Sequence, residues 1–169
     1  MKQPINRRHF LQGATSTAVA AGLMSARKTF AASDTVRIGV VGVGGRGKDH
    51  IKGFGQQPGV EVVALCDVDE GILQERSSQL EKASGKPVRC YGDMRKLFEA
   101  KDIDAVSFAT PNHWHSLGGI WAMEAGKHTY VEKPCSHNVW EGRQLVKAAR
   151  KNNRLCQHGT QGRSSAVLR

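Results

Sequence analysis

The chain has 169 residues, 39% of them hydrophobic and 24% charged, with a formal net charge of +10. That length suits about one domain with its own core. Lys2, Arg7, Arg8, Arg27 and Lys28 put half of the charge into residues 1–33, which hold no acid. The excess left for the rest is modest, and no basic run is interleaved with aromatic residues. This excludes a nucleic-acid surface as the leading reading, whereas a positive field suits an anionic small molecule.

Residues 1–33 read as a targeting segment rather than part of a fold. Asn6-Arg7-Arg8-His9-Phe10-Leu11 carries a twin arginine, followed by a weakly apolar stretch from Gly13 to Met24. That stretch is too short to span a hydrocarbon core of about 30 Å comfortably. Small residues at Ala31-Ala32-Ser33 offer a cleavage region. The segment resembles a twin-arginine export signal. The expected location is therefore periplasmic or otherwise outside the cytoplasm, with no stable membrane insertion after cleavage. A basic arm or a membrane anchor is the alternative.

The next stretch organises the rest. Val36 to Val41 is an apolar, mostly β-branched run that predicts a strand and leads into Gly42, Gly44 and Gly47, the pattern G-x-G-x-x-G. A helix-compatible segment follows, then a second apolar run, Val60 to Cys66, ending at Asp67. Gly42 would allow the tight turn, Gly44 would let a pyrophosphate approach the backbone, and Gly47 would let the helix pack closely. Free N–H groups at the helix start would meet the phosphates, with Gly45 and Arg46 in the same loop. Asp67 lies 25 residues past Gly42, near the usual spacing of about 20. Its carboxylate would accept from a ribose diol and repel a 2′-phosphate, favouring NAD over NADP. The bland alternative is a glycine-rich turn with Asp67 as a helix cap.

Asp69 predicts a helix cap, with the helix running to about Lys82 and Ile72, Leu73, Arg76 and Leu80 at helical spacing. Val88 to Tyr91 predicts a third strand, and Asp93 caps a short helix holding Leu97 and Phe98. Asp104 to Thr110 predicts a fourth strand, and His113 to Ala125 a helix stopped by Gly126. His128 to Val131 predicts a fifth strand, Val139 to Lys151 a helix, and Arg154 to Gln157 a sixth strand. Strands alternating with helices mean an α/β fold with a parallel, doubly wound sheet of the Rossmann type. Ligands gather outside the carboxyl ends of such strands.

Those ends carry Thr110-Pro111-Asn112-His113-Trp114-His115, Glu132-Lys133-Pro134 and His158-Gly159-Thr160-Gln161. His113, His115, His137 and His158 invite a metal site, but no C-x-x-C or H-x-x-x-H spacing occurs, and none is expected. Cys66, Cys90, Cys135 and Cys156 suggest no disulfide framework. Three of them fall in predicted strands, where a thiol packs as a small apolar group. Trp114, Trp121 and Trp140 read as packing residues.

With G-x-G-x-x-G, T-P-N-H-W-H at 110–115, A-G-K-H-x-Y-V-E-K-P at 125–134 and G-T-Q at 159–161, the chain resembles the Gfo/Idh/MocA oxidoreductases. That family includes glucose–fructose oxidoreductase and inositol dehydrogenases. The resemblance runs from about residue 35 to the end. It implies that Gly42, Gly44, Gly47 and Asp67 hold the adenosine half of NAD. It also implies that Thr110, Pro111, Asn112 and His115 flank the middle. Glu132 and Lys133 would reach the nicotinamide ribose and the reacting hydroxyl. Lys133 would be catalytic: its cation would stabilise a developing alkoxide, and burial would help it relay a proton.

The expected domain plan is a signal at 1–33, an NAD(P)-binding domain at 34–158, and at 159–169 the start of a connection to a C-terminal α+β substrate domain. On that plan the chain binds cofactor but does not complete a substrate site, and the longer form is a homo-oligomer. The expected activity is NAD(P)-dependent oxidation of a sugar, polyol or glycoside, with the cofactor kept on the enzyme. An NAD-dependent glycoside hydrolase or lyase is the alternative within the resemblance. A dinucleotide or sugar sensor without turnover is the alternative outside it.

Overall fold

The computed structural model describes residues 35–164, so the expected export signal lies outside the described residues. Six strands form one sheet: β1 (Val36–Val41), β2 (Val60–Cys66), β3 (Arg89–Tyr91), β4 (Ala105–Phe108), β5 (His128–Val131) and β6 (Cys156–His158). Their order is β3-β2-β1-β4-β5-β6, every pair parallel. Five α-helices connect them: α1 (Gly47–Gly55), α2 (Glu70–Ser84), α3 (Met94–Glu99), α4 (His115–Glu124) and α5 (Val139–Lys151). This is the doubly wound arrangement that the alternation predicts, and its strand order reverses between β1 and β4.

Both faces of the sheet are buried, so the central strands read as continuous apolar runs. On one face Ile38, Val40, Val62 and Leu65 pack with Val43 and Leu73. On the other, Val41, Val63, Val106, Phe108 and Val131 pack with Leu97, Phe98 and Ala122. Within α4, Gly118 and Gly119 let the helix settle onto its neighbours. A Cβ at Gly118 would lie 2.6 Å from Phe108 Cε1, and one at Gly119 would lie 2.9 Å from Leu145 Cδ1.

The caps agree with the sequence at two places. Asp69 accepts from the Ile72 N–H at 3.0 Å and Asp93 from the Arg95 N–H at 2.9 Å. Helix α2 runs past Lys82 to Ser84, where Gly85 stops it at φ +69°. The predicted fourth strand is shorter, because Thr110 already belongs to a loop that opens a 3₁₀ turn at Asn112–Trp114. The sixth strand sits later than expected. Arg154 N–H closes the end of α5 on the Ala149 carbonyl, and the Arg154 side chain donates to Gly126 O. Cys90 is exposed rather than buried.

The register fixes the geometry of the rim. Val41 is level with Cys66 and Phe108, Cys66 with Tyr91, Phe108 with Val131, and Val131 with His158. One residue further on, N–H groups still reach across to the neighbouring strand. Gly42 donates to Cys66 O, Asp67 to Tyr91 O, Ala109 to Val41 O, Glu132 to Phe108 O and Gly159 to Val131 O. Gly42, Asp67, Ala109 and Glu132 therefore stand along one carboxyl edge.

Two glycines of the loop are fixed by space. Gly42 has φ +82°, and a Cβ there would lie 2.8 Å from the Ala109 and Thr110 backbone. A Cβ on Gly47 would sit 1.8 Å from the Gly42 carbonyl oxygen. A Cβ on Gly45 would meet nothing within 4 Å. Gly47→Ala is expected to destabilise the fold by more than about 2 kcal/mol, whereas Gly45→Ala should stay within about 0.5 kcal/mol. Thermal and urea denaturation of the two variants checks this contrast.

Candidate functional site

The glycine turn leaves β1 at the strand-order reversal, where an open α/β sheet forms its crevice. Arg46 precedes α1 and gives it no side-chain cap; Lys48 and Asp49 N–H already donate to Gly45 O and Arg46 O at 3.4 and 3.0 Å, so the N–H groups offered to an anion are those of the glycine loop up to Gly47. A Cβ on Gly44 would have only Ile72 Cδ1 near it, at 3.7 Å. The loop backbone thus faces open space. Asp67 is oriented by backbone: Val43 N–H donates to Oδ2 at 2.8 Å and Asp69 N–H to Oδ1 at 3.1 Å. Each oxygen keeps a lone-pair site for a further donor.

These residues line a cavity of about 620 Å³ that includes Gly42, Gly44, Gly45, Asp67, Thr110 and Pro111. Ile72, Met94, Trp114 and Trp121 give it an apolar wall. A second cavity of about 420 Å³ is lined by Arg46, Thr110, Asn112, His115, Glu132, Lys133 and Gln161. Ala109 and Thr110 belong to both, so the two are compartments of one cleft. Every site residue expected from sequence lines one of them except Gly47, which is buried behind the turn. The Thr110 hydroxyl is buried with no partner. A larger hollow, about 800 Å³, lies elsewhere, along α1 and α2 toward the amino ends of β1 and β2. It holds none of the loop glycines, so volume does not select the site.

Glu132 is the centre of the second compartment and is 4% exposed. Its Oε1 accepts from Arg46 Nε at 3.3 Å, from His50 Nε2 at 3.0 Å and from Gln161 Nε2. Its Oε2 accepts from the Lys133 N–H at 3.1 Å. Burial pushes this carboxyl up, but the donors from His50, Lys133 and Arg46 outweigh it and hold it below its ordinary value. The carboxylate is thus mostly committed to protein, and only Oε2 has room for a ribose hydroxyl.

Lys133 departs from expectation. Its side chain is exposed, so residues 35–164 do not supply the burial foreseen for it. Nor does it pair with Glu132, which takes the Lys133 backbone N–H instead. His115 also differs. It is 1% exposed, with Nδ1 2.6 Å from Pro134 O and Nε2 2.9 Å from Thr110 O. It edges the cleft with its ring set between a carbonyl of the loop after β4 and a carbonyl of the loop after β5.

Sequence reasoning missed His50 and Ser107. His50 is one helical turn beyond Arg46, so both side chains face Glu132. That spacing was the available signal. Burial lifts the Cys66 thiol to about 12, helped by Asp67 and Asp93, so it behaves as core. Among the described residues, no group of three or more His, Cys, Asp or Glu side chains could hold a metal ion. Nor is any described helix long and apolar enough to cross a membrane.

Comparisons with known proteins agree with this geometry. Residues 36–160 match the family described as GFO_IDH_MocA, an oxidoreductase family with an NAD-binding Rossmann fold. A glycosyl hydrolase family 109 protein of Shewanella pealeana is 35% identical over 90% of this chain and 38% of its own length. An alpha-N-acetylgalactosaminidase of Shewanella oneidensis is 33% identical over the same shares. Among solved structures, scyllo-inositol dehydrogenase from Lactobacillus casei, with NAD(H) and scyllo-inositol, has TM-score 0.71 and 25% identity. That match covers 78% of this chain and 38% of the other. The WlbA dehydrogenase of Bordetella pertussis, with NADH and UDP-GlcNAcA, has TM-score 0.71 and 30% identity, covering 79% and 39%. The chain therefore spans about 38% of the length of these curated relatives. With its fold, its glycine loop and a match over residues 36–160, the chain belongs to the Gfo/Idh/MocA family of oxidoreductases.

Proposed function

We propose that this chain is the dinucleotide-binding part of an exported, NAD-dependent enzyme that acts on a sugar, polyol or glycoside and keeps its cofactor. The observation that carries the reading is the junction of two compartments at Thr110. The glycine loop and Asp67 line one, and Glu132 and Lys133 line the other. The residues fit a dinucleotide: Gly44 and Gly45 leave open space at the loop, and Thr110 has a buried hydroxyl in need of a partner.

In this reading the loop N–H groups and the start of α1 hold the pyrophosphate. Asp67 accepts from the adenosine ribose diol and repels a 2′-phosphate, so NAD is preferred over NADP. Pro111 and Asn112 flank the middle of the cofactor. When bound, the nicotinamide supplies a hydride acceptor and donor. Lys133 stands beside the substrate hydroxyl, where its ammonium stabilises the alkoxide that develops as the carbon is oxidised. To take up the proton that the hydroxyl gives up, Nζ has to start as the neutral amine, which becomes that ammonium on accepting it. Because the side chain is exposed here, water exclusion around it has to come from elements other than residues 35–164.

Two net reactions share this first step. One oxidises a hydroxyl-bearing carbon and reduces a second substrate. The other oxidises the carbon, cleaves a neighbouring glycosidic bond and reduces the carbon again. The glycosyl hydrolase and galactosaminidase names of relatives 33–35% identical to this chain favour the second. Export through a twin-arginine signal in folded form would carry the cofactor along, which makes recycling on the enzyme necessary outside the cytoplasm. A sensor without turnover would have no use for Lys133 beside the cleft.

NADH titrated into the purified chain and followed by fluorescence should bind at least about tenfold more tightly than NADPH, the penalty expected from like charges brought together. Asp67→Asn should close most of that gap. Equal affinities in the wild type would remove the role given to Asp67. In the full-length enzyme, Lys133→Ala should cost at least about 10²-fold in sugar turnover and leave NADH affinity nearly unchanged. A sugar deuterated at the oxidised carbon should keep its label in product, and label accumulating in free NADH would contradict a retained cofactor.

A further inference from the structure

Glu132 Oε1 has three side-chain donors, and they are not equivalent. Arg46 is about half exposed and also pairs with Asp49 at 3.0 Å. Gln161 belongs to a short 3₁₀ turn after β6. His50 alone is itself buried, at 6% exposure. Its ring is held on every side. Nδ1 lies 2.8 Å from Ser107 Oγ and Nε2 lies 3.0 Å from Glu132 Oε1. Phe54 and Tyr130 meet it edge to face, with centroids at 6.0 and 5.4 Å. Ser107 is 1% exposed, so its hydroxyl has no water to turn to.

The proton positions follow from the acceptor. An ionised carboxylate only accepts, so Nε2 carries the hydrogen toward Glu132. With that one hydrogen on the ring, Nδ1 is left to accept the Ser107 hydroxyl hydrogen. The chain Ser107–His50–Glu132 runs from β4 through α1 to the end of β5. Glu132 Oε2 in turn receives the Lys133 N–H, so the direction of the carboxylate also sets the backbone from which Lys133 projects.

We propose that His50 is a positioning residue for the nicotinamide end of the cleft, acting through Glu132. The inference rests on the cofactor reading above. The adenosine end, built from Gly42, Gly44 and Asp67, shares no hydrogen bond with His50. Loss of His50 therefore acts on one half of the cofactor and spares the other, whereas general damage to the fold would weaken both.

The test is calorimetric titration of the purified chain with NADH and with ADP, which lacks the nicotinamide and its ribose. The readout is the ratio of the two dissociation constants. His50→Leu should raise the NADH constant on the order of tenfold, the scale of a lost hydrogen bond to a charged group, and the ADP constant by less than about twofold. His50→Gln, whose amide can still donate to Oε1, should bring the ratio back most of the way. Equal weakening for both ligands, or an unchanged NADH constant, would overturn the proposal. If His50→Leu does not fold, Ser107→Ala decides: a raised ratio supports the proposal and an unchanged ratio overturns it. A wild-type chain that binds neither ligand would sink the cofactor reading and this inference together.

Discussion

A carboxylate 4% exposed at the end of β5 is the constraint around which the cleft is built. Burying an ion without partners costs several kcal/mol, and removing one partner of a buried pair costs about 3–5 kcal/mol. Glu132 can sit there only because donors converge from the loop before α1, from α1 itself, from its own following peptide and from the turn after β6. Surface pairs such as Arg37–Asp102, more than 40% exposed on both sides, contribute about 0–1 kcal/mol each. The magnitudes favour Glu132 as the group that binds four stretches of chain into one rim. Charge attraction elsewhere on the surface does not have that reach.

The sheet supplies the place for this convergence. Because strand order reverses between β1 and β4, the chain leaves these neighbours toward opposite faces and opens a crevice between them. The crevice can form only if the turn out of β1 keeps close to the end of β4. The 2.8 Å that would separate a Gly42 Cβ from the Ala109 and Thr110 backbone measures how close that is. Thr110 then becomes the shared wall of both compartments. One backbone approach thus links the glycine loop to the residues after β5.

Much of this was legible in the sequence because it depends on local pattern. The apolar runs gave β1 and β2 with the boundaries observed, since strands buried on both faces are continuous apolar stretches; β5 also keeps its expected bounds, although its His-Thr-Tyr-Val alternates half-buried and buried positions. Asp69 and Asp93 were readable as caps because a cap acts within three residues. The end of β4 and the start of β6 were not, because they depend on where Thr110 turns away and on Arg154 bridging to Gly126. His50 was invisible for the same reason. A lone histidine on a short helix reads as solvated until a glutamate 82 residues later is brought to 3.0 Å from it. The exposure of Lys133 belongs to the same class: the sequence shows that it follows a strand, not what covers it.

This separation between local and distant information is also one between binding and chemistry. In the proposed reading, dinucleotide recognition rests on backbone N–H groups, on glycines and on one carboxylate, all within Val36 to Asp67 and a single loop after β4. Those groups do not distinguish between a dehydrogenase and a glycosidase, because both reactions, as proposed above, begin by oxidising a hydroxyl-bearing carbon beside a cation. The outcome is decided by what happens next to that carbon: whether a leaving group is attached there and whether a base can reach its neighbour. Neither is fixed by residues 35–164. One cradle can therefore occur in proteins named dehydrogenases and in proteins named glycosyl hydrolases.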